Sequence, residues 1–210
     1  MRPTKLVLVF SLVSLAVSLL GACSSAPPTH YYLLAPTRPE PTVEPTTAAS
    51  TGLVIGVDPF TVDPPYDRDQ LVYRLGADSV EVGFYTYHRW AAPLGDLVAV
   101  SMAEGLEGTP GIHRIEPSTS GGDYSAFLRG RVLHLEEIDV PGQQLARLAL
   151  ELRLVARAGK PLWSDQVQGT ASGTNETVAG IVEQLYQAFD QALEQARSGL
   201  TAADLNQGGH

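Results

Sequence analysis

The most regular pattern in the chain lies near its end. Val178, Ile181, Val182, Leu185, Phe189, Ala192, Leu193 and Ala196 recur every three or four positions, which gives a helix one apolar face. Thr174 or Asn175 is placed to cap its start, Glu176 suits the positive end of its dipole, and Gly199 is placed to end it. A second helix is predicted where Leu94, Leu97, Val98, Met102 and Leu106 repeat at the same spacing, between Pro93 and Gly108. Elsewhere the period is two. Across 145–157, Leu148, Leu150, Leu152 and Leu154 face one way, while Arg147, Glu151, Arg153 and Arg157 face the other. One side of the sheet is therefore expected to be buried and the other wet.

Further strands are predicted at 31–34, 53–57, 112–115, 127–140 and 163–169, the last after a turn at 158–161. The apolar stretch 70–90 is split by Gly76-Ala77-Asp78-Ser79 into the two strands of a hairpin. Glu136, Glu137 and Asp139 read as a solvated strand end rather than an acid–base cluster. Together these elements predict an α+β fold. It is a single domain, a mainly antiparallel sheet of six or seven strands with two amphipathic helices packed on one face. The domain spans 31–200. Within it 37–51 is a Pro/Thr-rich loop, and 201–210 is a disordered tail.

The opening of the chain has another character. Arg2 and Lys5 precede an apolar run over 6–20, and the small residues Gly21 and Ala22 follow, the arrangement of a signal peptide. Leu20-Gly21-Ala22-Cys23 resembles the lipobox of bacterial lipoproteins. That resemblance implies removal of residues 1–22 and acylation of Cys23 with a diacylglycerol and an N-acyl chain. Several chains on one residue give stable anchoring, each buried methylene adding about 0.8 kcal/mol. Residues 23–30 become a short tether. Ser24, where an aspartate would favour inner-membrane retention, points to the periplasmic face of the outer membrane.

Charge and residue usage narrow the chemistry. Loss of Arg2 and Lys5, with no acid among residues 1–22, takes the formal net charge from -9 to -11. An acidic chain of this kind does not track phosphates, so nucleic acid is excluded as a partner. Cys23 is the only cysteine, so the domain stands on its core without a disulfide. Lys160 is the only lysine beyond residue 22 and sits in a predicted turn, which leaves no Walker A loop and no Schiff-base lysine. His30, His88, His113, His134 and His210 form no metal-binding spacing, and no nucleophile elbow is present. The expectation is a protein that is not an enzyme, with no metal and no cofactor beyond its lipid.

Aromatic residues are more informative. Tyr66, Tyr73, Phe84, Tyr85, Tyr87, Trp90 and Tyr124 gather in the first part of the domain, beside Arg68, Arg74 and Arg89. Tyr, Trp and Arg dominate protein contacts because they combine rigid area with a polar tip. Alternation over 80–90 puts Val82, Phe84 and Trp90 on one face and Tyr85, Tyr87 and Arg89 on the other. The same residues also serve a core, and the sequence leaves both readings open.

The runs Pro65-Tyr66-Asp67-Arg68-Asp69-Gln70-Leu71-Val72-Tyr73-Arg74 and His88-Arg89-Trp90-Ala91-Ala92-Pro93-Leu94 resemble the ABC-type transport auxiliary lipoproteins, which include the PqiC-type lipoproteins of intermembrane transport. Tyr31 to Pro36, Leu162-Trp163-Ser164 and the final helix fit the same family in place and character. The resemblance implies a non-catalytic accessory subunit that docks an MCE-domain (mammalian cell entry) protein at the outer membrane. An inner-membrane permease and an ATPase belong to the same lipid transport system, and homo-oligomers are compatible with it. Arg68, Tyr73, Arg74, Tyr85, Tyr87, Arg89 and Trp90 are the expected partner-binding residues. The competing class is an accessory lipoprotein of lipopolysaccharide or outer-membrane assembly, which would bind a barrel instead.

Overall fold

Strand and helix follow one another as β1 (His30–Tyr32), β2 (Leu53–Val57), β3 (Thr61–Val62), β4 (Gln70–Leu75), β5 (Val82–Trp90), α1 (Leu94–Leu106), β6 (Ile112–Pro117), β7 (Ala126–Val140), β8 (Gln143–Ala156), β9 (Pro161–Gly173) and α2 (Val178–Ala202). This computed structural model describes residues 26–35, 52–173 and 177–203. The predicted signal peptide with Leu20, Gly21 and Ala22, the lipidation residue Cys23, the loop 37–51 and residues 204–210 of the predicted tail lie outside the described residues.

All nine strands among the described residues belong to one sheet built on β7. One edge of β7 pairs antiparallel with β8 along its whole length, and β8 pairs antiparallel with β9. The other edge takes three short parallel strands in sequence order. β2 lies along Ala126 to Leu128, β3 along Arg131 and Val132, and β4 along Glu137 to Asp139. Asp58-Pro59 and the turn after Asp63 are the interruptions, since proline supplies no ladder donor. Beyond β2 lies β6, beyond β4 lies β5, and β1 closes that end by running parallel to β5.

The predicted α+β class holds, with two differences. The sheet has nine strands rather than six or seven, because a two-residue strand such as β3 has no periodicity to read and pairs only through tertiary context. It is also mixed: the long contacts are antiparallel and the short ones along β7 parallel.

Both helices cover the face to which Leu148, Leu150, Leu152 and Leu154 point, and these four are fully buried with Phe189, Ile181, Met102 and Leu106. Close approach is set by small residues. A side chain at Gly169 of β9 would overlap the Ala188 carbonyl of α2, and one at Gly105 of α1 would overlap Leu193 of α2.

The ends of α2 differ from expectation. Thr177 is its N-cap, the Thr177 hydroxyl accepting from the Gly180 N–H at 3.1 Å; Thr174, Asn175 and Glu176 are outside the described residues. Gly199 does not end the helix. It lies against the Trp163 indole, where a Cβ would come within 3.0 Å, and buried Leu200 holds the last turn on the core.

Helix α2 also covers the outer edge of β9. Gln191 accepts from the Thr170 N–H at 3.2 Å and donates to its carbonyl at 2.9 Å. Gln195 does the same to Gln168, at 3.1 and 2.7 Å. Residues four apart on a helix and two apart on a strand are brought into step, so two side-chain amides stand in for the peptide groups of an absent neighbouring strand.

Candidate functional site

The sheet face opposite the helices carries most of the charged chemistry. At its centre Glu136, fully buried, accepts from Arg74 Nη2 at 3.1 Å, from Arg147 and from the Tyr66 hydroxyl at 2.9 Å. Tyr66 reaches it from the turn after β3, and its hydroxyl also lies 3.0 Å from His134 Nδ1. Arg74 is tied further by donating to the Ser79 carbonyl at 2.6 Å. Burial beside this carboxylate pushes the Tyr66 phenol up to about 12, while burial and the Arg147 charge hold the His134 imidazole below its ordinary value.

Glu137 belongs to the other face. It is 3 % exposed, accepts from the Tyr85 hydroxyl at 2.6 Å and from Gln144 Nε2 at 2.9 Å, and burial raises its pKa. Two of the three acids expected at a solvated strand end are therefore interior groups, and only Asp139 is exposed. The register shift between Val132 and His134 sits just before them, and such a shift re-aims side chains in a way that alternation does not announce.

The seven residues expected to bind a partner separate by role in the fold. Trp90 is in the core at 4 % exposure. Tyr85 and Tyr73 pack on each other at 5.1 Å between centroids, and the Tyr73 ring occupies the space above Gly83. Arg74 neutralises Glu136. Arg68 lies over the Phe84 ring at 3.7 Å, a cation–π contact, and Arg89 pairs with Asp69 at 2.6 Å. Tyr87 is the exposed member. The structure brings Tyr73 and Tyr85 together, and sets Arg74 with Tyr66 on the Glu136 carboxylate, without gathering the seven into one patch.

Alternation along β7 and β8 also builds a feature the sequence reading did not single out. Arg129 stands opposite Arg153, and Arg131 opposite Glu151. With Asp58 they line an open groove of about 390 Å³ on the helix-free face. Arg129 pairs with Asp58 at 3.1 Å, Arg131 with Asp63 and Arg153 with Glu151, all at the surface. Exposed pairs of this kind contribute only about 0–1 kcal/mol each, so their arginines exchange partners at small cost. The signal was present in the alternation of Arg129 with Arg131 and of Glu151 with Arg153, and became meaningful once the register was known.

No helix among the described residues is long and apolar enough to cross a membrane, which says nothing of strands. No group of three or more His, Cys, Asp or Glu residues among them is arranged to hold a metal ion.

Residues 32–196 match the model of a family described as the ABC-type transport auxiliary lipoprotein component. Among solved structures, the chain is similar to a protein of Xanthomonas campestris at 18% identity, covering 85% of this chain and 96% of that one with a TM-score of 0.60. A second crystal structure, of an uncharacterized protein, matches at 15% identity over 83% of this chain and 99% of that one, with a TM-score of 0.62. These likenesses show a shared fold. Among curated proteins none matches the chain.

Proposed function

Because the chain belongs to the ABC-type transport auxiliary lipoprotein component family, we propose that it is the outer-membrane-anchored, non-catalytic subunit of an intermembrane lipid transport system. Membership itself makes it a lipoprotein accessory of ABC-type transport. The finer reading is that acyl chains on Cys23 hold the domain at the periplasmic face of the outer membrane. There it docks an MCE-domain protein whose permease and ATPase sit in the inner membrane.

One observation carries the docking assignment: the helix-free face presents exposed, weakly paired arginines, Arg129, Arg131 and Arg153, around an open groove. Arginine forks pair bidentately with carboxylates, and an open, polar groove suits a protein surface better than an enclosed small ligand. Arg68 keeps some exposed surface and supplies a further cation. Tethering raises the local concentration of this surface, so a contact of modest intrinsic affinity suffices.

The test is an in-cell crosslink and pull-down of the tagged protein, comparing wild type with the Arg131→Glu/Arg153→Glu double variant and with Cys23→Ala. Recovery of an MCE-domain protein by wild type, lost in the double variant at unchanged abundance, supports the docking role. Recovery of an outer-membrane barrel in its place moves the protein to the competing assembly class. No transport partner with wild type refutes the assignment.

A further inference from the structure

The β1–β5 end of the sheet exposes an apolar surface that the docking reading does not use. Tyr31 is 66% exposed and Leu33 is 60% exposed. Residues two apart on an extended chain share a side, and on the opposite side Leu34 is buried while Tyr32 stacks on His88. β1 runs parallel to β5 with Tyr31 beside Arg89. Tyr87, 36% exposed, lies two residues before Arg89, on the part of β5 next to β1. Of the other exposed large apolar residues, Leu75 and Val80 flank the turn at the far end of β5 and Val100 lies on α1.

The backbone beneath these side chains is fixed. The Tyr32 hydroxyl lies 2.8 Å from His88 Nδ1, the Tyr186 hydroxyl of α2 donates to the Leu33 carbonyl at 2.7 Å, and Ser101 of α1 donates to the Leu34 carbonyl. Tyr31 and Leu33 are thus held outward by contacts from three elements, in a segment that would otherwise trail from the domain.

Its place in the chain identifies what covers it. His30 follows Cys23 by seven residues, and an extended chain advances at most about 3.6 Å per residue, so β1 starts within about 25 Å of the acylated residue. Tyrosine sets an apolar ring and a polar tip at membrane–water boundaries. The Asp69 carboxylate beside this end is paired with Arg89, which lowers the cost of bringing it to a membrane surface. We propose that Tyr31, Leu33 and Tyr87 form a bilayer-contact face, seated in the headgroup region of the membrane that holds the chain's own acyl groups. The anchor then orients the domain as well as retaining it. This inference rests on acylation at Cys23.

The experiment uses full-length acylated protein in vesicles of phosphatidylethanolamine with a minority of phosphatidylglycerol. Since Cys23 is the only cysteine and is consumed by the lipid, Tyr31→Cys, Leu33→Cys and Tyr87→Cys each offer one thiol for an environment-sensitive fluorophore. Asp165→Cys, on exposed β9, is the reference. Flotation with the vesicles reports the anchor, and quenching by bromine-substituted lipid reports the face. The expected result is blue-shifted emission and loss of about half the signal at 31, 33 and 87, with none at 165. Flotation with all four labels equally unquenched overturns the bilayer-contact face while leaving the anchor standing. Crosslinking of 31 and 33 to a protein in cells, with no quenching on vesicles, overturns it in favour of a partner. Failure to float refutes the anchor itself, and this inference with it.

Discussion

Replacing Arg74 by methionine keeps the aliphatic stem and removes the guanidinium that faces Glu136. The carboxylate is fully buried and the Arg74 side chain only 18% exposed. The substitution deletes the Nε and Nη2 bonds to Glu136 and the Nη1 bond to the Ser79 carbonyl. Removing one partner of a buried ion pair costs about 3–5 kcal/mol, because the remaining charge stays out of water. Arg147 and the Tyr66 hydroxyl remain on Glu136, which places the expected loss near about 3 kcal/mol, the lower end of that range. For a domain of this size that is a fall of roughly 6–12 °C in melting temperature. Arg74→Met, Glu136→Gln and the double variant, followed by thermal and urea denaturation, separate the pair from its surroundings. Glu136→Gln should recover part of the loss in the double variant, giving a coupling of about 1–3 kcal/mol. Additive effects, or a stability change below about 0.5 kcal/mol for Arg74→Met, would refute the structural role. If partner recovery then fell as well, Arg74 would be an interface residue.

Three other outcomes follow from the same geometry. Burial raises the Glu137 pKa, so the folded chain holds this proton more tightly than the unfolded one. Its contribution is complete below about pH 4 and declines as pH rises through the folded value. Glu137→Gln should therefore raise the melting temperature at neutral pH by roughly 2–5 °C and leave it unchanged near pH 4. Gln191→Ala with Gln195→Ala should cost about 1–2 kcal/mol, and hydrogen exchange should show lost protection at the Gln168 and Thr170 amides. Gly169→Ala places a methyl into the Ala188 carbonyl, and should cost about 3 kcal/mol or more, read as lost soluble yield and a lower melting temperature.

Period and punctuation made most of the secondary structure legible. The leucine alternation of β8, the apolar stripe of α2 and the Gly76–Ser79 break between β4 and β5 each follow from one local rule, and all three stand in the fold. β3 and the parallel docking of β2 and β4 on β7 were not legible, because two or three paired residues leave no periodic trace and are held by a distant strand. The candidate site divides along the same line. Arg68, Arg74, Arg89 and Trp90 could be singled out by type, but their environments come from residues elsewhere in the chain: Glu136 for Arg74, Phe84 for Arg68, the buried core cluster for Trp90. Glu136 and Glu137 were misjudged because burial of a carboxylate depends on which arginine or tyrosine reaches it. The groove arginines were invisible as a group until β7 and β8 were aligned in register.

The single strand to which β2, β3 and β4 all attach has a consequence for synthesis and export. A chain that emerges amino end first delivers residues 53–75 well before residues 126–140, with a helix, two strands and several turns between them. Until β7 arrives, β3 has no edge to pair with, β2 has only β6, and β4 has only its hairpin partner. Long-range parallel pairing of this kind is also slow to form. The central contacts of the sheet therefore wait on the later half of the chain, and the acylation proposed at Cys23 can precede them. Closure comes late, and a chain cut short before Glu137 loses the edge along which β4 is aligned.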